Sequence, residues 1–99
     1  MKSTTQNLDG SSFYGSSITA TVQDMIDALG TPYYYENKGD DKTNYEWECE
    51  TENGHPVTIY DYKEYRSLEF DDLIKWHVGG FGLSQTQEAV DEISKIINS

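Results

Sequence analysis

The chain has 99 residues, of which 35% are hydrophobic and 25% charged, and these values fit one small globular domain. Its formal net charge is −11, from 18 acidic residues against seven Lys and Arg. That charge argues against direct nucleic-acid binding and against docking on anionic membranes, because both depend on Lys and Arg. The one cysteine leaves no internal disulfide, and no apolar run reaches the ~20 residues of a membrane span. We therefore expect a cytoplasmic protein.

The polar segments divide the chain. Residues 1–12 show no apolar periodicity, which predicts a flexible N-terminal arm before a single domain over residues 13–99. The segment YYYENKGDDKT at 33–43 begins with three tyrosines, which fit a short edge strand or a surface patch. It continues as a polar loop, in which Gly39, Asp40 and Asp41 form a turn signal.

Apolar residues recur at helical spacing between positions 18 and 29, which predicts a first helix over about residues 20–29. Thr19 or Thr21 can cap its start. Gly30 follows the last apolar residue and ends the helix.

The segment YEWECETENGHPVTIYDY at 45–62 is a hairpin signal with its turn at Asn53–Gly54. A two-residue loop places the apolar residues of the second strand on the same face as the glutamates. A three-residue loop with a left-handed Gly54 moves the pairing by one residue, so that Glu48 faces Thr58. Burial favours the three-residue loop, because a slip by one residue exchanges whole faces. The inner face then holds Trp47, Cys49, Val57 and Ile59, and the outer face holds Glu46, Glu48, Glu50, Thr58, Tyr60 and Tyr62.

The last third of the chain predicts one strand and one helix. LIKWHVGG at 73–80 alternates, with Ile74, Trp76 and Val78 on one side and Lys75 and His77 on the other. A helix over about residues 85–97 follows, with Ser84 and Gln87 as its capping box. The fold class is therefore α+β: an antiparallel meander of three or four strands with two helices packed on one face.

Several segments resemble known proteins. ALGTP, NYEWECETENG, VTIYDYKEYR and IKWHVGG together resemble small proteins encoded by tailed bacteriophages, which have EW, IYDWKEYR-like and WHIGG-like segments. That resemblance implies an accessory or host-takeover factor in an infected bacterial cell. The order of helix, aromatic segment and hairpin over residues 15–62 also resembles the helix-plus-sheet module of β-lactamase inhibitor proteins and small outer-membrane-assembly lipoproteins. Those modules bind proteins and are not catalytic.

The outer face offers the first candidate site. Glu46, Glu48 and Glu50 recur about 7 Å apart along one strand, roughly half the linear charge density of one DNA strand. This acidic stripe, beside Tyr60 and Tyr62, is either a solvated sheet face or a surface that binds a basic host protein, with partial nucleic-acid mimicry as one form of it. Further acids between 61 and 72 extend it only if that connection folds onto the same side.

A second candidate site combines aromatic and basic residues that fit a small anion such as a nucleotide. Its members are Tyr60, Lys63, Arg66, Trp76 and His77. The alternative is that its Lys and Arg only neutralise the glutamates.

No catalytic, metal or cofactor motif stands out. Cys49 is predicted to be a buried structural residue, no histidine or cysteine spacing suits zinc, and neither acidic pair has calcium-loop spacing. The leading hypothesis is a non-catalytic phage protein that inhibits or redirects a host protein, such as a defence or nucleic-acid-handling factor. The competing hypothesis is a nucleotide-sequestering protein. Exposed tyrosines and an edge strand make a homodimer plausible.

Overall fold

Within residues 1–39 and 42–99, which a computed structural model describes, six antiparallel strands form one sheet and two helices pack on one of its faces. In chain order the elements are β1 (Lys2–Ser3), β2 (Ser12–Thr21), α1 (Val22–Leu29), β3 (Tyr34–Tyr35), β4 (Tyr45–Glu50), β5 (Pro56–Tyr60), β6 (Leu73–Gly80) and α2 (Leu83–Ile97). The strand order is β1-β4-β5-β6-β2, and β3 also pairs with β4. The predicted α+β class is confirmed, in a wider sheet than expected. The predicted turn at Asp40 and Asp41 lies outside the described residues.

The register of the β4–β5 hairpin follows the three-residue loop. Glu48 lies opposite Thr58, and Gly54 has a left-handed φ of 82°. The Gly54 amide donates to the Thr51 carbonyl at 2.8 Å, and the Thr51 amide donates to the His55 carbonyl at 3.0 Å. The predicted register is therefore confirmed, and the glutamates of β4 lie on the face that the helices leave open.

The strand β2 was not predicted. Its sequence, SFYGSSITAT, has few large apolar residues, and Ile18 also fits the helical spacing that continues into α1. The predicted helix therefore started too early; α1 begins at Val22, after Thr21. The N-terminal segment also contains structure, because Lys2 and Ser3 pair with β4 as β1.

The two helices begin in different ways. Thr21 and Asp24 form a full capping box at α1, and the Gly30 amide closes its last turn on the Ile26 carbonyl at 2.8 Å. The capping box predicted at Ser84 is wrong, because α2 begins at Leu83 after Gly82 and has no side-chain cap. Ser84 therefore lies within the first turn.

Two tryptophans lie in the core and bond to neighbouring elements. Trp47 on β4 and Trp76 on β6 are fully buried and meet edge to face at 5.5 Å between ring centroids. The Trp47 indole N–H donates to the Gly30 carbonyl at the end of α1, and that of Trp76 donates to the Ala20 carbonyl on β2, both at 2.9 Å. Each buried indole thus satisfies its donor and fixes one strand to a neighbouring element.

Asp61 anchors the connection between β5 and β6. Its carboxylate is fully buried and accepts from the backbone amides of Asn44 and Tyr45, both at 2.8 Å, and from the Asn44 side chain at 2.9 Å. The Asn44 side chain also donates to the Arg66 carbonyl at 3.1 Å. One acid therefore holds the start of β4 and the loop after β5 together.

Substitution of Asp61 tests this anchor. Asp61→Ala leaves three buried donors without an acceptor, and we expect it to lower the free energy of unfolding by about 3 kcal/mol. Asp61→Asn keeps one acceptor oxygen and is expected to lose less. Urea denaturation followed by circular dichroism measures both, with the exposed Asp71→Ala as control. A loss no larger than that of the control would contradict the anchoring role.

Candidate protein-binding face

The candidate site is the sheet face opposite the helices. Strand alternation places Glu46, Glu48 and Glu50 of β4 there, because Trp47 and Cys49 face the core. Tyr60 on β5 lies opposite Glu46 on one side and opposite His77 of β6 on the other. We call this surface the open face. All five predicted partner-binding residues, which are Glu46, Glu48, Glu50, Tyr60 and Tyr62, lie on it or at its margin.

The acidic stripe is not uniform. Glu50 accepts from the Gln6 side-chain amide at 3.1 Å and lies 4.0 Å from the Lys2 ammonium. In contrast, none of the ion pairs among the described residues involves Glu46 or Glu48. The N-terminal segment therefore neutralises one end of the stripe and leaves two carboxylates without a cation.

The Glu46 carboxylate is held between aromatic residues. Tyr34 of β3 and Tyr60 of β5 occupy the two positions opposite Glu46 in the neighbouring strands. Burial, followed by repulsion from Glu48, raises the pKa of Glu46. The Thr58 hydroxyl lowers that pKa in part, although its oxygen forms no hydrogen bond of ordinary length and angle with any described residue. Glu46 is thus a partly desolvated acid whose charge is only weakly compensated.

Three rings form a stack across the open face. The His77 imidazole lies between Phe13, at a centroid distance of 4.1 Å, and Tyr62, at 5.1 Å. Tyr60 meets His77 at 5.7 Å with the rings inclined by 60°. The Lys63 ammonium lies over the Tyr62 ring at 5.1 Å from its centroid. Phe13, His77 and Tyr62, which we call the aromatic stack, therefore border the unpaired end of the stripe.

The structure divides the predicted nucleotide site. Tyr60, Lys63 and His77 lie together, but Trp76 is fully buried on the opposite face of the sheet. The Arg66 guanidinium bonds the Asp72 carboxylate at 2.8 Å and lies 3.7 Å from Glu64. Two of the five predicted members are thus absent from the open face or already paired.

Other predicted features have clear positions. Cys49 is buried as expected, and burial raises the pKa of its thiol to about 11, which keeps it protonated. Three of the five connecting acids do not extend the stripe, because Asp61 is buried and both Glu64 and Asp72 face Arg66. No group of three His, Cys, Asp or Glu in the described ranges is placed to hold a metal ion. No helix within those ranges could cross a membrane.

Phe13 was missed as a site residue. It reaches His77 because β2 pairs with β6, with Phe13 opposite Gly79 and Ser17 opposite His77. The two segments are separated by about sixty residues, and no local pattern indicates this pairing. A strand prediction for residues 12–21 was the one signal that could have found it.

Comparison with protein-family models, curated proteins and solved structures found no match.

Replacing Glu46 tests the cost of its charge. Because the fold raises the pKa of Glu46 above its ordinary value of 4.5, the charged form is less favourable in the folded than in the unfolded chain. We expect Glu46→Gln to raise the free energy of unfolding at neutral pH by about 0.5 kcal/mol. This gain disappears at pH values below the ordinary pKa. Thermal denaturation at several pH values measures it, with the exposed Glu69→Gln as control; a loss of stability at neutral pH would contradict the interpretation.

His77 predicts a second pH dependence, of opposite direction. Burial, followed by the Lys75 charge, lowers the pKa of His77 below its ordinary value of 6.5. The stabilisation from its neutral form is complete above 6.5 and is lost as the pH falls through the lowered value. We expect the NMR titration of His77 to give a pKa below that of a denatured sample. His77→Phe, which keeps a ring in the stack, is expected to lose less stability on acidification than the wild type; equal losses would exclude this role of His77.

Proposed function

We propose that the chain is a small non-catalytic protein that binds a partner with a basic surface through its open face. The observation that carries the proposal is the state of Glu46 and Glu48. Both are half-buried, neither has a cationic partner within the described residues, and both face away from the helices. A carboxylate that is partly desolvated without a counter-ion costs stability. A cation from a bound partner removes that cost.

The surroundings of these carboxylates favour an arginine side chain as the contacting group. A guanidinium pairs with carboxylates through several N–H donors and stacks on aromatic faces. Glu46 supplies the carboxylate, and Tyr60 lies directly opposite it on β5. Lysine offers a point charge and makes less use of the neighbouring rings. The partner we propose therefore presents one or more arginines to the open face.

The setting of this interaction follows from the sequence resemblance. The phage-like segments include β4, β5 and β6, which are the strands that build the open face. We therefore propose a bacterial host protein as the partner and its inhibition or redirection as the outcome. Mimicry of a nucleic acid is the weaker form of this idea, because only two carboxylates of the stripe lack an ion pair within the described residues and three of the five loop acids are buried or face Arg66.

Nucleotide sequestration is less well supported. The remaining members of that site lie on a sheet face next to the uncompensated Glu46, which repels phosphate. A nucleotide that binds specifically at 100 times its Kd adds about 2.7 kcal/mol of stability. Thermal shift with a nucleotide panel therefore tests this alternative independently of any protein partner.

A double substitution tests the open face. Immobilised wild-type protein first recovers the partner from a lysate of the bacterial host, and isothermal titration then measures its affinity. We expect Glu46→Gln with Glu48→Gln to weaken binding by about tenfold or more and to reduce its salt dependence.

The matched control removes two charges from the other side of the sheet. Asp27→Asn with Asp91→Asn changes two exposed acids on the helices by the same net charge. If both double variants bind alike, net charge and not the open face attracts the partner. If the Glu46 and Glu48 variant binds as tightly as wild type, the proposal is wrong.

A further inference from the structure

One edge strand of the sheet, β2, has no charged side chains. Among the described strands, β2 pairs only with β6. Its ten residues contain no Asp, Glu, Lys or Arg, in a chain that is 25% charged. Edge strands that do not pair with another chain are usually short, charged or interrupted by proline. The one such device in β2 is the bulge between Phe13 and Ser17, where Gly15 has a φ of 94°. The stretch from Ser17 to Thr21 keeps regular pairing with β6.

The uncharged surface extends beyond the strand. Residues 76–87, which end β6 and begin α2, contain no Asp, Glu, Lys or Arg. They adjoin the first half of β2, because Ser12 lies opposite Gly80. Large apolar side chains are exposed at this corner, with Tyr14 at 46%, Phe81 at 41% and Leu83 at 57%. At the other end of the edge, Leu73 lies opposite Thr21 and is 67% exposed.

We propose that two copies of the chain associate through β2, edge to edge and antiparallel, into one continuous sheet. Antiparallel pairing of identical strands about a two-fold axis brings the first half of one β2 against the second half of the other. The Tyr14 end of one copy then approaches the Leu73 end of its partner. Each uncharged edge therefore meets another uncharged edge along its length.

The charge distribution selects a second copy as the occupant. Two chains that each carry −11 repel, so they can approach closely only where neither presents acids. The β2 edge satisfies this condition on both copies at once. A basic partner finds no complementary charge along β2, and its complement is the open face. The association is thus independent of the proposed partner site.

The backbone supplies the specific contacts. In an antiparallel ladder, alternate residues direct both N–H and C=O away from the paired strand. Along Ser17–Thr21, those groups point to the free side of β2. The Ala20 carbonyl already accepts from the Trp76 indole at 2.9 Å. In the dimer, the outward groups of one β2 pair with those of the other.

Sedimentation velocity and hydrogen exchange test the proposal on the whole chain. From micromolar to millimolar concentration, we expect a shift from monomer to dimer mass. We also expect slower exchange of β2 amides at the higher concentration, while the amides of β1, at the other edge, stay unchanged. A monomer at every concentration with unchanged β2 exchange would overturn the proposal.

A pair of double variants locates the interface. Tyr14→Glu with Thr19→Glu places two acids on the β2 edge and is expected to weaken the dimer by about tenfold or more. Tyr33→Glu with Thr31→Glu makes the same chemical change at exposed positions of the loop after α1 and is expected to leave the dimer unchanged. Equal effects of the two variants would exclude β2 as the interface, and circular dichroism confirms that each stays folded.

Discussion

The register of β4 against β5 decides which side chains are core and which are surface. With Glu48 opposite Thr58, Trp47 and Cys49 point to the helices and the glutamates point away. A slip by one residue would bury a row of acids and expose a tryptophan, at a cost far above the stability of a small domain. The three-residue loop with its left-handed Gly54 fixes this choice locally. The hydrogen bond from the Trp47 indole to the end of α1 stabilises the same register from the core.

The hairpin, β6 and the open face could be predicted because their signal is local. Alternation of apolar and polar residues sets the face of each side chain, and Asn53–Gly54 sets the turn. By contrast, β2 could not be predicted from its own residues, since half of them are serine or threonine and Ile18 fits a helix equally well. The ion pair between Lys2 and Glu50 depends on a second long-range contact, the pairing of β1 with β4. The sequence therefore predicted the glutamates but not which of them are neutralised.

The open face combines features that a purely structural sheet surface does not need. Glu46 is partly buried and has no ion pair within residues 1–39 and 42–99, and the aromatic stack presents rings to solvent where smaller residues would be sufficient. Stability alone would favour glutamine at position 46 or a lysine beside it. The nearby basic residues have other contacts instead, with Arg66 paired inside its own loop and Lys63 over the Tyr62 ring. An unpaired acid beside exposed aromatic rings is the pattern expected of a binding site. The acid lowers the stability of the free protein, and a bound partner removes that loss.

The two proposals combine in one geometry. A two-fold axis that pairs β2 with its copy in an antiparallel way stands perpendicular to the sheet, so both open faces lie on the same side. Two copies then present two sets of uncompensated carboxylates to one partner surface. If the partner carries arginines at a matching separation, the contact with one copy holds the other copy close to its own arginine. The second contact then forms at a high effective concentration, which raises the affinity without a new type of contact. A monomeric chain lacks that gain, so weakening the β2 edge would reduce the affinity for an extended basic surface while leaving the binding of a single short arginine peptide unchanged.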